Sequence, residues 1–237
     1  MKRKALDLFC GAGGAAAGLA KAGFEVCGVD IRPQPRYPFR FLQGDALQVL
    51  DNLIRTGEVK EYSLIWCSPP CQRFSAMTKR WGPSAVEQHP DVLSGLRSLL
   101  QQSGADYVIE NVEGAPLQKT LLLCGTMFDL QTDSGVPLRR HRIFECSFYV
   151  PQPACRHKKG VHSIGIYGGG QHPKRKTAVC GYSLADRKKA MGIDWMTWAE
   201  LNESVPPAYS YYIAQWYLKD NDKKGMVQVK SRSLSTG

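Results

Sequence analysis

Short apolar runs alternate with stretches of helical spacing through the first half of the chain. The predicted strands cover residues 5–9, 24–29, 39–42, 62–67 and 107–109, and the predicted helices cover 15–21, 46–54 and 92–100. This alternation is typical of an α/β fold with a doubly wound, mostly parallel, Rossmann-like sheet that carries helices on both faces. Ligands of such sheets bind outside the carboxyl ends of the strands. We therefore expect Asp30, Asp45, Cys71 and Glu110, which follow predicted strands, to lie along one edge.

The amino-acid composition changes after this alternating half. From Pro151 to Gly181, Gly, Pro, His and Lys dominate and the apolar periodicity fades. We predict a core over residues 1–150, a very small loop-rich lobe over 151–183, a segment returning to the core over 184–219 and a flexible tail over 220–237. The last predicted helix spans 207–219.

The excess of basic over acidic residues lies in one segment of the chain. Twelve Lys and Arg residues face only two acids between Val136 and Ile193, which accounts for the whole net charge of +10. A polyanion such as nucleic acid is the natural partner of such a segment, because phosphate contacts release counterions. No stretch approaches the ~20 apolar residues of a membrane span, and no signal peptide follows the basic N-terminus. We expect a cytoplasmic monomer that does not contact a membrane.

The cysteines favour neither disulfides nor a metal site. Four of the eight lie in apolar runs, where a free cysteine behaves as a small hydrophobic residue, and no Cys-x-x-Cys pair occurs. The basic lobe holds a second group of thiol and imidazole side chains: Cys155, His157, His162, His172 and Cys180. Four of them could bind zinc, but their spacing matches no standard zinc finger, so we predict no metal site.

Three segments at predicted strand ends carry groups that could bind a ligand or take part in catalysis. Gly11-Ala-Gly13-Gly14 opens a helix, where a close backbone approach and free N–H groups suit a ligand, and Asp30 could accept ribose hydroxyls. The same pattern also fits a dinucleotide site or a plain strand–helix turn. Two prolines hold Cys71 in a stiff turn, as a nucleophile requires. Glu110 is a carboxyl group that could hold a proton on the substrate near a reactive thiolate.

Five blocks, in order, resemble those of the DNA (cytosine-5)-methyltransferases. They are Phe9-Cys-Gly-Ala-Gly-Gly14, Pro69-Pro-Cys-Gln-Arg-Phe-Ser75, Glu110-Asn-Val112, Arg140-His-Arg-Ile-Phe144 and Ser204-Val-Pro-Pro207. The resemblance implies an S-adenosylmethionine methyltransferase fold with S-adenosylmethionine as cofactor and double-stranded DNA as partner. It also implies transfer of a methyl group to C5 of a flipped-out cytosine, through a transient bond between Cys71 and C6.

The resemblance assigns a role to each matching position. The implied catalytic residues are Cys71, Glu110, Arg142 and Arg140. The implied cofactor-binding residues are Phe9, Gly11, Gly13, Gly14, Asp30, Ile31, Asp45, Pro70, Glu203, Ser204 and Val205. The expected DNA-binding residues are Gln72, Arg73 and Ser75 in a mobile loop, and Lys158, Lys159, Gln171, Lys174, Arg175 and Lys176 in the basic lobe.

The sequence departs from the family pattern at three points. Leu138 replaces a glutamine before the arginine block, Asn202-Glu203 replaces Gly-Asn in the tail block, and the recognition region is very small. So small a region predicts a recognition site of about two to four base pairs. Two alternatives stay open: an RNA cytosine-5 methyltransferase, although the Cys-Phe-Thr tripeptide of that branch is absent, and a catalytically impaired or altered-cofactor relative that binds nucleic acid.

Overall fold

The computed structural model describes residues 2–71, 74, 91–158, 160–167 and 181–233, with side chains as far as residue 222. The strands are β1 (Lys4–Leu8), β2 (Glu25–Asp30), β3 (Arg40–Gln43), β4 (Tyr62–Cys67), β5 (Asp106–Asn111), β6 (Leu121–Leu123) and β7 (Arg142–Cys146). The α-helices are α1 (Gly14–Lys21), α2 (Ala46–Thr56), α3 (Val92–Ser103), α4 (Leu184–Met191), α5 (Trp198–Glu203) and α6 (Pro207–Ser233). Two short 3₁₀ turns occupy Glu58–Glu61 and Gly125–Met127.

The strands form one seven-stranded sheet in the order β3-β2-β1-β4-β5-β7-β6. The pairings among β1 to β5 are all parallel, whereas β7 runs antiparallel to both β5 and β6. The predicted fold class is confirmed, and the predicted elements agree with the observed ones to within a few residues. Sequence periodicity missed β6 and β7, because β6 has only three residues and the five residues of β7 include two charged side chains that interrupt its apolar run.

Helices cover the two faces of the sheet. On one face α1 and α6 pack against aromatic side chains of the sheet, including Trp66 and Phe144. On the other face α2 and α3 contribute Leu50 and Leu96 to a second cluster. A third cluster joins α4 to residues 138–166. The carboxyl ends of the central parallel strands are thus left between these layers.

The final helix is longer than the sequence predicts. Instead of ending at Lys219 and passing into a flexible tail, α6 runs for 27 residues to Ser233. The predicted helix end at Lys219 is therefore corrected, and the flexibility of residues 220–237 stays a prediction. No proline follows Pro207, and Gly225 is the one strong helix breaker up to residue 233, so polar composition alone did not indicate an end. Neither α6 nor another helix in the described ranges combines the length and apolarity that crossing a membrane requires.

Close contact between α1 and α6 depends on glycine. A Cβ atom added to Gly18 would lie 2.1 Å from the carbonyl oxygen of Pro207 and 2.7 Å from the backbone nitrogen of Tyr211. Both atoms belong to the backbone of α6, so they cannot rotate away. The Ser210 hydroxyl donates to the Ala15 carbonyl oxygen at 2.8 Å across the same interface. The helices can approach this closely only where no side chain intervenes.

Asp7 is a fully buried carboxyl group on β1. The Tyr37 hydroxyl donates to its Oδ2 atom at 3.4 Å. Burial raises the pKa of Asp7 to about 8, although the hydrogen bond from Tyr37 opposes the shift. The folded protein therefore keeps Asp7 mostly protonated at neutral pH.

We expect Gly18→Ala to lower the free energy of unfolding by about 1–3 kcal/mol, because the added methyl group must push α6 away from α1. Gly95→Ala is the matched control, since a Cβ there meets only Leu47 at 3.9 Å. The control should be neutral or stabilising by up to about 1 kcal/mol, as alanine favours a helix interior. Denaturant unfolding followed by circular dichroism measures both. Equal stability of the two variants would contradict the close-packing argument.

Asp7 should make the fold less stable as pH rises. The pKa of the carboxyl is near its ordinary value of 3.8 in the unfolded chain and about 8 in the folded one, so the folded state holds the extra proton between these values. Stability from this group is complete below about pH 4 and is lost progressively towards pH 8. Asp7→Asn should flatten that part of the profile. The measurement compares unfolding free energies of the two proteins from pH 5 to 8, and parallel profiles would refute the assignment.

Candidate active site

A cleft of about 560 Å³ opens at the carboxyl ends of the parallel strands. Its lining includes these predicted site residues: Phe9, Gly11, Gly14, Asp30, Ile31, Asp45, Pro70, Cys71, Glu110, Arg142, Glu203, Ser204 and Val205. Residues from five separate sequence blocks thus meet at one place, as the strand-end argument predicts. The volume lies within the ~300–1,000 Å³ range of small-molecule and cofactor sites.

The turn between β1 and α1 has an unusual backbone. Phe9 has a φ of 57°, which is uncommon for a residue other than glycine, and Gly11 and Gly13 have φ values of 48° and 89°. The Gly11 backbone N–H donates to Asp30 Oδ2 at 3.0 Å and fixes the turn against the end of β2. Gly11 lines the cleft and a Cβ there would meet open space, so a ligand can approach the backbone closely.

Gly13, which the sequence predicts to bind the cofactor, is placed by the turn and by packing. It is not one of the described residues that line the cleft, and a Cβ at this position would come within 2.9 Å of Pro38 Cδ. It is the N-cap of α1 in the left-handed conformation. The turn and the packing therefore require glycine at this position, and a cofactor contact of Gly13 stays a prediction.

Two carboxylates at strand ends line the cleft. Backbone N–H groups hold both oxygens of Asp30 and one oxygen of Asp45. Asp30 is buried, and its Oδ1 accepts the Arg32 backbone N–H at 3.0 Å. Asp45 caps α2, and its Oδ1 accepts the N–H groups of Leu47 and Gln48 at 2.9 and 3.0 Å. A carboxylate oxygen has lone pairs for further donors, so these acids suit the hydroxyl and amino groups of a nucleoside. The cleft thus fits the predicted cofactor in size and in donor and acceptor chemistry.

The tail block closes one side of the cleft. A Cβ at Gly14 would lie 2.0 Å from Ser204 Oγ and 2.3 Å from the Val205 carbonyl oxygen, so the tail rests directly on the start of α1. Glu203, the departure from the family pattern, is largely exposed at the rim. Its carboxylate lies 3.5 Å from the Arg32 guanidinium. The additional negative charge therefore has a cationic neighbour on the cleft wall.

The predicted reactive groups lie together, with Glu110 and Arg142 buried and Cys71 half-buried. Glu110 at the end of β5 pairs with Arg142 at the start of β7, with 2.9 Å between Oε1 and Nε. Burial raises the pKa of Glu110, and the Arg142 guanidinium opposes that shift. Burial also raises the pKa of the Cys71 thiol, again against the opposing effect of Arg142. Arg142 therefore lies close enough to influence both groups.

Sequence reasoning missed the side chain that holds the Pro-Pro-Cys turn. Asn111 is buried at the end of β5, and its Nδ2 donates to the Pro69 carbonyl oxygen at 3.3 Å. Trp66 Nε1 donates to Ser68 Oγ at 3.0 Å just before the same turn. The Glu-Asn pair in the sequence was the available signal, because a polar residue beside a buried strand-end acid needs a partner of its own.

Arg140, which the sequence predicts to be catalytic, is held in the interior by backbone carbonyl groups. It is completely buried and is not one of the described residues that line the cleft. Its guanidinium donates to the carbonyl oxygens of Ile166, Asn202 and Ser204, the last two at 2.9 and 2.6 Å. Burial lowers the pKa of Arg140 to about 9. It therefore acts on the cleft through the tail block rather than by contact.

Of the predicted DNA-binding residues, the structure describes only Lys158. Lys158 is exposed, as expected. The others, Gln72, Arg73, Ser75, Lys159, Gln171, Lys174, Arg175 and Lys176, lie outside the described residues. Three cations of the basic segment are buried instead: Arg140, Arg142 and Arg187, whose guanidinium lies 3.6 Å from the centroid of the Trp198 ring. The charge available to a polyanion is thus smaller than the sequence count indicates.

The thiol and imidazole side chains of the lobe separate into two places. His162 contacts the Tyr182 hydroxyl. Cys155 and His157 lie instead beside Cys124 and His141 of the core. His172 and Cys180 are outside the described residues.

Two comparisons of the sequence with known proteins point to one family. The family model described as C-5 cytosine-specific DNA methylase matches residues 3–120. A curated relative, Type II methyltransferase M.HgiGI of Herpetosiphon aurantiacus, is 34% identical over 125 residues, which cover 49% of this chain and 95% of that protein.

Solved structures extend the likeness over most of the chain. The Dnmt2 methyltransferase of S. pombe gives a TM-score of 0.56 at 13% identity, covering 91% of this chain and 98% of that one. The Entamoeba histolytica methyltransferase EhMeth gives 0.57 at 13% identity, covering 93% and 99%. At such identities the likeness concerns the fold.

We expect the Cys71 thiol to react slowly with iodoacetamide at neutral pH and faster as pH rises above the ordinary thiol range, because burial raises its pKa. Arg142→Gln should slow alkylation at pH 8 by up to about tenfold, since the neighbouring cation favours the thiolate. Arg55→Gln, on an exposed part of α2, is the control and should leave the rate unchanged. Peptide mapping by mass spectrometry follows Cys71 separately from the other cysteines. Full reaction of Cys71 at pH 7 would contradict the expected protonation.

Proposed function

Because the chain belongs to the C-5 cytosine-specific DNA methylase family, we propose that it methylates C5 of a cytosine in double-stranded DNA through a covalent adduct with Cys71. Methyl transfer to cytosine, with S-adenosylmethionine as the donor, is the activity of this family, and the DNA substrate and the adduct are our proposal. One observation carries it: Cys71, Glu110 and Arg142 share a single cleft with the carboxylates of Asp30 and Asp45.

The side chains of the cleft suit nucleophilic attack on the ring. The Cys71 thiolate would form a bond to C6, which moves an electron pair towards C5 and places charge on the ring. The raised pKa of Glu110 favours a protonated carboxyl, which can donate to N3 of the base and stabilise that charge. Arg142 provides a guanidinium for the base carbonyl oxygen O2, beside Glu110.

The cofactor supplies an electrophilic methyl group on a sulfonium sulfur. C5 would take this methyl group as the S–CH3 bond breaks and leaves a neutral thioether. The C5 proton would then leave to solvent, and the bond between C6 and Cys71 would break as the C5–C6 double bond returns. Elimination restores the Cys71 thiolate, so the protein is unchanged after each turnover. Pro70 and the Asn111–Pro69 hydrogen bond keep the nucleophile in place during both steps.

A double-stranded DNA substrate requires that the cytosine leave the helix. C5 and C6 cannot be reached within the base stack, so the base must be flipped into the cleft. Support for DNA comes from the description of the matching family model, C-5 cytosine-specific DNA methylase, and from exposed cations such as Arg139 and Lys158. The small size of the segment after β7 supports recognition of a short sequence of about two to four base pairs.

Expression in cells that lack cytosine methylation tests the substrate. Nucleosides from digested DNA and from separated RNA are measured by mass spectrometry. We expect 5-methylcytosine in DNA with the wild-type protein and with Cys27→Ser, whose half-buried thiol lies outside the cleft lining. Cys71→Ser should reduce the product below detection. Methylcytosine confined to RNA, or its absence from both pools with folded protein, would refute a DNA substrate.

A duplex containing 5-fluorocytosine tests the adduct separately. Fluorine at C5 prevents the final elimination, because no proton can leave, and the protein should stay attached to DNA under denaturing conditions. Wild type and Cys27→Ser should form this complex in the presence of S-adenosylmethionine. A complex formed equally by Cys71→Ser would show that Cys71 is not the nucleophile.

A further inference from the structure

Four potential metal ligands meet away from the cleft. The ligand atoms of Cys124, His141, Cys155 and His157 all lie within 4.8 Å of one another. Cys124 follows β6, His141 precedes β7, and the other two come from the segment after the sheet. We propose that these side chains bind one zinc ion, which fastens that segment to the edge of the sheet.

The distances within the cluster approach those of a tetrahedral site. His141 Nε2 and His157 Nδ1 are 3.4 Å apart, Cys155 Sγ is 3.8 Å from His141 Nε2, and Cys124 Sγ is 3.9 Å from His157 Nδ1. Zinc bonds of ~2.3 Å to sulfur and ~2.0–2.1 Å to nitrogen give tetrahedron edges of about 3.4–3.8 Å. The Cys155–His157 contact of 2.7 Å is shorter, and the exposed Cys155 side chain has room to turn outward.

Groups around the cluster orient the ligands. Glu113 Oε1 lies 2.5 Å from His141 Nδ1, which directs the other ring nitrogen, Nε2, towards the cluster. A carboxylate behind a histidine ligand is the usual outer partner in zinc sites. The Thr126 hydroxyl donates to Cys124 Sγ at 3.4 Å and lies 3.8 Å from Cys155 Sγ. Two sulfur and two nitrogen ligands in a tetrahedral arrangement favour zinc over harder cations.

Residues 152–158, which hold Cys155 and His157, are mostly exposed, whereas Ile164 and Ile166 further along the segment pack into the third cluster. Between β7 and residue 167, the described residues form no helix or strand beyond one isolated bridge at Ile164. Gln152 exchanges hydrogen bonds with the backbone of Leu122, and Arg156 forms an exposed ion pair with Asp129. Exposed ion pairs add little stability, whereas a metal that crosslinks three parts of the chain adds much more.

The proposal departs from the expectation of no metal site for a physical reason. The sequence argument grouped only side chains of the lobe, and two of the four ligands come from the sheet region, at residues 124 and 141. His162, which belonged to the expected group, lies instead beside Tyr182. The four side chains are of metal-binding types, but two of them lie outside the lobe in the sequence, so the sequence argument did not group them together.

Metal analysis of the purified full chain tests the site. We expect about one zinc per chain by mass spectrometry of the metal, and less than about 0.1 in Cys155→Ser and in His157→Asn. Cys27→Ser and His162→Asn are matched controls and should keep the wild-type content. Cobalt added to metal-free protein should give the absorption of tetrahedral thiolate coordination, and Cys155→Ser should lose its sulfur-to-metal band.

Two results would overturn the proposal: metal-free wild-type protein that also fails to take up added zinc, or a Cys155→Ser variant that keeps full stoichiometry. Circular dichroism shows whether each variant is folded. In a folded set, a chelator should lower the thermal midpoint of the wild type and of the controls, and leave Cys155→Ser unchanged. None of the four ligands lines the cleft, so these measurements are independent of methyl transfer.

Discussion

The buried guanidinium of Arg140 is the interaction on which the arrangement around the cleft depends. A cation in the interior needs polar partners, and here they are backbone carbonyl oxygens at Ile166, Asn202 and Ser204. One side chain thereby joins the segment after the sheet to the tail block. The tail in turn rests on Gly14 and completes the cofactor side of the cleft. Tyr209 of α6 adds a hydrogen bond to the Arg140 carbonyl oxygen at 2.6 Å.

The parts that the sequence predicted well follow from a single rule of parallel sheets. Residues at the ends of successive strands reach the same edge, so Asp30, Cys71 and Glu110 could be placed together before the structure was known. Helical and strand periods differ clearly enough to locate the elements of the first half within a few residues. The tail block, at Ser204, could be placed at the cleft only through its resemblance to a family, since its spacing from the sheet is not encoded locally.

The parts that could not be predicted depend on which charged groups are paired inside the protein. β7 carries Arg142 and Glu145, which look like surface residues in the sequence. Glu145 is buried because Arg97 of α3 pairs with it at 2.9 Å, and Arg142 because Glu110 does. Likewise the sequence cannot distinguish Arg187, stacked on Trp198, from a cation that faces DNA. Such pairings join distant segments, so no local pattern reveals them.

The antiparallel direction of β7 has a consequence for how this protein can vary. Parallel strands bring their last residues to the cleft, whereas β7 brings its first, Arg142, beside the end of β5. The three residues entering this strand therefore go to three environments: Arg140 to the interior, His141 to the cysteine–histidine cluster and Arg142 to the cleft. Insertion or deletion of one residue here would exchange all three at once. Length changes in evolution should thus be selected against between Leu138 and Arg142.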